Sequence, residues 1–273
     1  MERRFFFDVE TALGFEALLA KFEAGAFASP FRSTVPLFAI IKDSWSEFRR
    51  ILSVCRLPYE VDVHFEYRVK SPRGDGNPSQ TDAMILSGST ALAVEAKWTE
   101  PRYPTVGSRL KRKGDGKSTE ENETLAKEFV NGWLELLQPN ATKPLRVESF
   151  SDAVYQVVHR AASACAVSRT PSLAYLHFEP APRSGAATAD QYRADLAQVH
   201  YLLGNPPGFP FYFVAMPISA TSAFQRIEHL RKGAPETDRA VRSALLADRL
   251  FNFGSPRIET ISNGSWRVLE SAK

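Results

Sequence analysis

Leu173-Ala174-Tyr175-Leu176-His177-Phe178 is an almost unbroken apolar run, the pattern of a strand buried on both faces. A helix rich in Ala and Val is expected just before it, over residues 151–167, with small side chains suited to close packing on a sheet. A helix leading into such a strand marks a crossover to a parallel neighbour, which commits the chain to an α/β architecture. Upstream, Val61, Val63, Phe65, Tyr67 and Val69 alternate with Asp62, His64, Glu66, Arg68 and Lys70. That period predicts a strand over 60–70 with one buried face. Strands at about 80–87 and 90–98, separated by Ser87-Gly88-Ser89, complete a three-stranded antiparallel meander.

The rest reads as punctuated elements. Leu37, Ile41, Trp45, Phe48, Leu52 and Cys55 recur at helical steps and predict an amphipathic helix over 36–55, ended by Pro58. Ser118 and Glu121 form a capping box for a helix carrying Leu125, Phe129, Trp133 and Leu136. Beyond Pro180 the pattern predicts a helix near 188–203, a buried strand at Phe209 to Ala215, and helices near 219–232 and 236–251. A terminal hairpin pairs Ile258 to Ile261 with Trp266 to Leu269 across Asn263-Gly264, a dipeptide that accepts the positive φ of a type I′ turn. Residues 1–35 carry no clear pattern.

With 44% hydrophobic and 24% charged residues among 273, the composition excludes disorder, collagen and coiled coil. The net charge of +3 is too small to attract a polyanion by itself, so any such attraction must come from local clustering. Asp8 and Glu10 cut short the apolar run that begins at Phe5, so no secretory signal is expected, and no stretch is long enough to span a bilayer. Cys55 and Cys165 lie in helix-patterned segments with no partner at zinc spacing. They are expected to be buried free thiols in a reducing cytoplasm.

The strongest chemical signal is Asp82 followed by Glu95-Ala96-Lys97. Roughly one acid-x-Lys triplet is expected by chance at this composition, and Asp115-Gly116-Lys117, in a glycine-flanked loop, is what a chance match looks like. Glu95 and Lys97 differ because strand alternation puts both on one face while Leu92, Val94, Ala96 and Trp98 take the other. A tight turn at 87–89 pairs the two strands and brings Asp82 toward Glu95. Two carboxylates about 4 Å apart repel by about 4 kcal/mol at an effective dielectric near 20, so something cationic must offset them. Two hard oxygen donors and a backbone carbonyl facing solvent suit the open, partly hydrated octahedral site of Mg²⁺.

An acid on the second strand of a meander and Glu-x-Lys on the third resemble the PD-(D/E)xK nuclease superfamily, the restriction-endonuclease-like fold. The order of helix, three antiparallel strands, helix and strand matches that core from about Pro36 to Glu179, roughly half the chain. Thr81 stands where the family's first motif has proline. The resemblance implies an α/β (α+β) mixed sheet: an N-terminal extension over 1–35, a core over 36–180 with an insertion at 101–150, and a C-terminal extension over 181–273 on the same sheet, all within one domain or several. It further implies that Asp82, Glu95 and the main-chain oxygen of Ala96 hold Mg²⁺, or Mn²⁺ in its place, while Lys97 positions or deprotonates the attacking water. Many members add a glutamate from the first core helix. Here Glu47 borders the buried stripe, as a third metal ligand or as the partner of Arg50 or another base. Some members carry a Gln in the later helix, where Gln156 and Arg160 lie one turn apart and could contact a phosphate, with His159 a weaker candidate. A solvated helix face is the plainer reading.

Arg102, Arg109, Lys111, Arg112, Lys113 and Lys117 follow the triplet with only Asp115 against them, a basic arm fit for a nucleic-acid backbone or for solubility alone. Asp62, His64 and Glu66 share a face, more often the wet side of an edge strand than a metal triad, and His177 reads as a core histidine. No phosphate-binding loop or Gly-x-Ser-x-Gly elbow is present. The expectation is a Mg²⁺-dependent endonuclease of restriction or defence type, acting on DNA rather than RNA and working as a homodimer. The alternative is a non-catalytic nucleic-acid-binding or scaffolding protein on the same fold.

Overall fold

The protein is described by a computed structural model over residues 4–58, 60–111, 119–181, 184–262 and 264–269. It is a mixed α/β protein. Its strands are β1 (Arg4–Phe7), β2 (Glu10–Ala12), β3 (Asp62–Val69), β4 (Ser79–Ser87), β5 (Thr90–Lys97), β6 (Thr170–Glu179), β7 (Phe211–Ala220), β8 (Phe251–Phe253), β9 (Arg257–Ser262) and β10 (Ser265–Leu269). One sheet holds them in the order β2-β1-β3-β4-β5-β6-β7-β9-β10, with β8 on β7. The pairs β1/β3, β5/β6 and β6/β7 are parallel and the others antiparallel.

Among the described residues the helices are α1 (Phe15–Lys21), α2 (Thr34–Asp43), α3 (Trp45–Val54), α4 (Val106–Leu110), α5 (Thr119–Leu137), α6 (Tyr155–Val167), α7 (Ala189–Leu202), α8 (Ser222–Ile227) and α9 (Pro235–Ala247). The apolar stripes of α1, α2, α3, α8 and α9 cover one sheet face, with Val63, Phe65, Leu176 and Val214 beneath them. The other face carries α4, α5, α6 and α7 over Ala93, Leu173 and Phe213. The meander and the α6–β6 crossover lie where the sequence puts them. The Thr188–Gln191 capping box at the start of α7 supports that helix through both reciprocal hydrogen bonds.

Four expectations change. The helix expected over 36–55 is two helices, because Ser44 leaves helical geometry (φ −138°, ψ 47°) and Arg249 donates to its hydroxyl and to the Asp43 carbonyl at 3.0 and 3.2 Å. The alternation along β3 breaks at Glu66, whose φ of 54° sends Tyr67 and Val69 to the α5–α6 face while Val63 and Phe65 face the other layer. On α5 the buried side chains are Phe129, Val130, Trp133, Leu134 and Leu137, whereas Leu125 is exposed; its expected cap at Ser118 lies outside the described residues. The last two helices are shorter than their patterns, and Phe251–Phe253 is a strand. Residues 1–35, unassigned from sequence, supply β1, which lies parallel to β3 from Arg4↔Asp62 to Phe7↔Phe65.

Candidate active site

The parallel pairing of β5 with β6 runs to Lys97↔His177, and at this carboxyl end of the strands the sheet opens into a cleft of about 480 Å³. Clefts in open α/β sheets form there because the loops and helix termini splay apart beyond the strand ends. Glu95 and Lys97 point to the α6 face and form the floor, each almost fully buried. The β4–β5 ladder ends at Ala83↔Val94. One residue further on, Asp82 turns its carboxylate inward, and Oδ2 accepts the Ala96 N–H at 2.8 Å. Because the N–H and C=O of a strand residue lie along the same edge, the Ala96 carbonyl is directed along that edge as well.

Glu95 is the hub. Its Oε1 accepts from Lys97 Nζ at 2.8 Å and from Gln156 Nε2 at 2.7 Å, and its Oε2 accepts from Arg160 Nε. Burial works against the Glu95 charge, but Arg160 and Lys97 more than offset it and hold the carboxyl below its ordinary range. Among the described residues Asp82 has no such direct cationic partner. Burial, then the neighbouring Glu95 charge, push its carboxyl well above the usual value, and Arg160 and Lys97 compensate only in part. Arg160 Nη1 also donates to Ser79 Oγ at 2.8 Å, and the same hydroxyl lies 2.8 Å from His159 Nδ1. Burial and the Arg160 charge keep that imidazole neutral.

Glu66 completes the acidic group, whereas from sequence it groups with Asp62 and His64 on what reads as the wet side of an edge strand. It takes the β3 position between the pairs Phe65↔Ala83 and Tyr67↔Thr81, opposite Asp82, lines the cleft and accepts from Gln80 Nε2. Burial first, with Glu95 adding to it, raises its carboxyl to about 7. The signal that could have found it is the register: an antiparallel β3–β4 pair continued through Phe65↔Ala83 sets Glu66 across from Asp82. The edge-strand reading of that face does not hold, because β1 covers it. Asp62 is paired with Arg4 at 2.7 Å, and His64 is stacked on Phe6, with Nδ1 2.7 Å from the Asp8 carbonyl.

Other expected residues fall differently. Glu47 does not line the cleft; it sits in the first turn of α3 with Oε2 buried and without a partner. The helix break at Ser44 separates α3 from α2, and it is the start of α2, with Ser33 and Thr34, that borders the cleft. Gln156 and Arg160 face Glu95 rather than a solvated surface. Arg102 grips the buried Asp195 through Nε and Nη2, so it is a tether. Arg109 lines the cleft from α4, its guanidinium carbon 4.3 Å from the Tyr155 ring centre. Lys111 is exposed, and Arg112, Lys113 and Lys117 lie outside the described residues. His177 packs against Tyr192 and Phe213, with Nδ1 3.2 Å from Glu179 and Nε2 unpartnered.

Among the described residues, no three His, Cys, Asp or Glu side chains are gathered into a metal cage, and no helix is long and apolar enough to cross a membrane. Hard oxygen donors with incompletely offset charge nonetheless fit a divalent cation held in an open manner, since Mg²⁺ commonly takes one or two carboxylates and keeps several waters. No curated protein and no solved structure matches the chain. The model of one family, described as "Domain of unknown function (DUF6946)", matches residues 11–205, a span that holds every cleft residue named above, and the chain belongs to that family.

Proposed function

We propose that this protein is a metal-dependent phosphodiesterase acting on nucleic acid, a DNA endonuclease of the PD-(D/E)xK type. The observation that carries the reading is the meeting of Asp82, Glu95 and Lys97, from adjacent strands, on the floor of one cleft. Asp82 and Glu95 would hold Mg²⁺ or Mn²⁺, with the Ala96 carbonyl on the same edge. The bound ion supplies Lewis-acid polarisation of a phosphate and a more acidic water. Lys97, held 2.8 Å from Glu95, keeps a fixed positive charge where negative charge grows on a scissile phosphate. Gln156 and Arg160 fix the Glu95 carboxylate, so its orientation is set before any ligand arrives. The deciding assay is cleavage of supercoiled plasmid and of single-stranded DNA with Mg²⁺ or Mn²⁺. The native chain is expected to cleave at least one of them, and Asp82→Ala and Lys97→Ala to lose cleavage while still binding DNA. A calorimetric titration with Mg²⁺ alone should show binding that Asp82→Ala abolishes.

One observation favours a second reading. Three donors already engage the Glu95 oxygens, an arrangement equally suited to a structural ion-pair network in a non-catalytic nucleic-acid-binding protein. No cleavage of plasmid, single strands or RNA by the native chain, with no heat of Mg²⁺ binding, would decide for that reading.

A further inference from the structure

The cleft does not end at Glu66. A second cavity of about 340 Å³ shares Arg32, Thr34, Glu66 and Gln80 with it, so the two form one groove that passes over the acidic cluster and continues toward Phe7 and Phe22. A cationic side chain enters from each layer. Arg32, exposed, precedes α2 and donates to the Ala26 carbonyl at 2.9 Å, and Arg109 comes from α4 on the opposite layer. Tyr103, on the segment leading from β5 to α4, lines the same cleft. The residue is 47% exposed and its ring centre lies 5.8 Å from Lys97 Nζ. The floor is sunk, with Glu95 2% and Lys97 3% exposed.

The low exposure of Glu95 and Lys97 means that a phosphate drawn to them sits below the protein surface, which favours a strand that can bend into the cleft. A duplex is stiff over this length and carries its partner strand with it. A single strand bends freely and splays its bases, and an exposed aromatic ring with cationic side chains near it is a stacking platform for them. We infer that the groove takes one polynucleotide strand rather than an intact duplex, with a base on Tyr103 and phosphates at Arg32 and Arg109. This rests on the phosphodiesterase reading for its substrate class but is tested without it. The full chain, in EDTA, is titrated by fluorescence anisotropy into a short labelled oligothymidylate, the matching oligouridylate, and a blunt duplex of the same length. The single strand is expected to bind about tenfold tighter than the duplex or more, with Tyr103→Ala costing about tenfold on single strands and Tyr103→Phe restoring the affinity. Equal binding of the RNA strand supports the inference, since the ring stacks on any base; a preference for the DNA strand supports it too and assigns the sugar. A duplex bound as tightly as the single strand overturns it, as does a folded Tyr103→Ala chain, by circular dichroism, with unchanged affinity. Absence of metal-dependent cleavage of a single-stranded oligonucleotide that the chain binds would count against the phosphodiesterase alone and leave this preference standing.

Discussion

Glu95 has two cationic partners where one would neutralise it, and its behaviour on substitution should show which holds the cluster together. Arg160 is 7% exposed and Glu95 2%, so Arg160→Met leaves a buried carboxylate with half its compensation, a change that costs about 3–5 kcal/mol. Glu95→Gln strands Arg160 and Lys97 in turn. The double variant should therefore lose clearly less than the two single losses combined, and a urea-denaturation cycle showing simple additivity would refute the coupling. Glu66 makes the opposite case, a carboxyl whose charge the fold resists. Its folded value of about 7 lies above the ordinary 4.5. Between those values the folded chain keeps a proton that the unfolded chain has lost, and stability falls as pH rises through the window. Glu66→Gln should remove this penalty. In EDTA the variant should be more stable than the native chain by about 1–3 kcal/mol near pH 8 and nearly equal to it near pH 4.5; a gap that does not widen with pH would contradict the assignment.

Helix α5 roofs the cleft through Trp133, whose Nε1 donates to Tyr155 Oη at 2.9 Å, and it approaches the chain beyond β3 very closely. Ser71 Oγ donates to the Phe129 carbonyl at 3.0 Å, and a Cβ placed on Gly132 would meet that hydroxyl and lie 2.9 Å from the Arg73 nitrogen. Alanine ordinarily improves a helix interior by about 1 kcal/mol over glycine. Gly132→Ala should instead destabilise by about 1–3 kcal/mol, as overpacking does, and a raised melting temperature would show that the contact yields. Such interlocking explains what could be read in advance. Asp82, Glu95 and Lys97 were legible because strand alternation and one tight turn fix their face and register locally. Glu66 was not, since its role depends on β1 covering the β3 edge from more than fifty residues away and on a positive φ that alternation does not encode. The break at Ser44 is equally remote in origin, being held by Arg249. Gln156 and Arg160 were found by their helical spacing, but their direction depended on how α6 docks on the sheet.

At the scale of the whole molecule the two ends of the chain hold each other. Arg242 on α9 donates to the carbonyls of Leu19, Phe22 and Glu23 around the end of α1, and Asp238 accepts the Phe27 N–H at 2.7 Å. The central segment 36–180 thus has both of its sheet borders formed by the flanks, β1 beside β3 and β7 beside β6. It would also lose α1, α8 and α9 from the layer over Phe38, Phe65 and Leu176. Exposing that surface costs about 25 cal/mol per Å² of apolar area, against a net stability that is only about 5–15 kcal/mol for a typical domain. A fragment of residues 36–180 is therefore expected to lack a cooperative thermal transition and to bind a hydrophobic dye, while the full chain unfolds in one step by calorimetry. Arg242→Ala should leave that single step in place but make the segment around residues 19–27 the first site of proteolysis, because it frees the Leu19, Phe22 and Glu23 carbonyls together. A fragment that melts cooperatively would mean that the central segment is a domain in its own right, and that the flanks serve the groove rather than the fold.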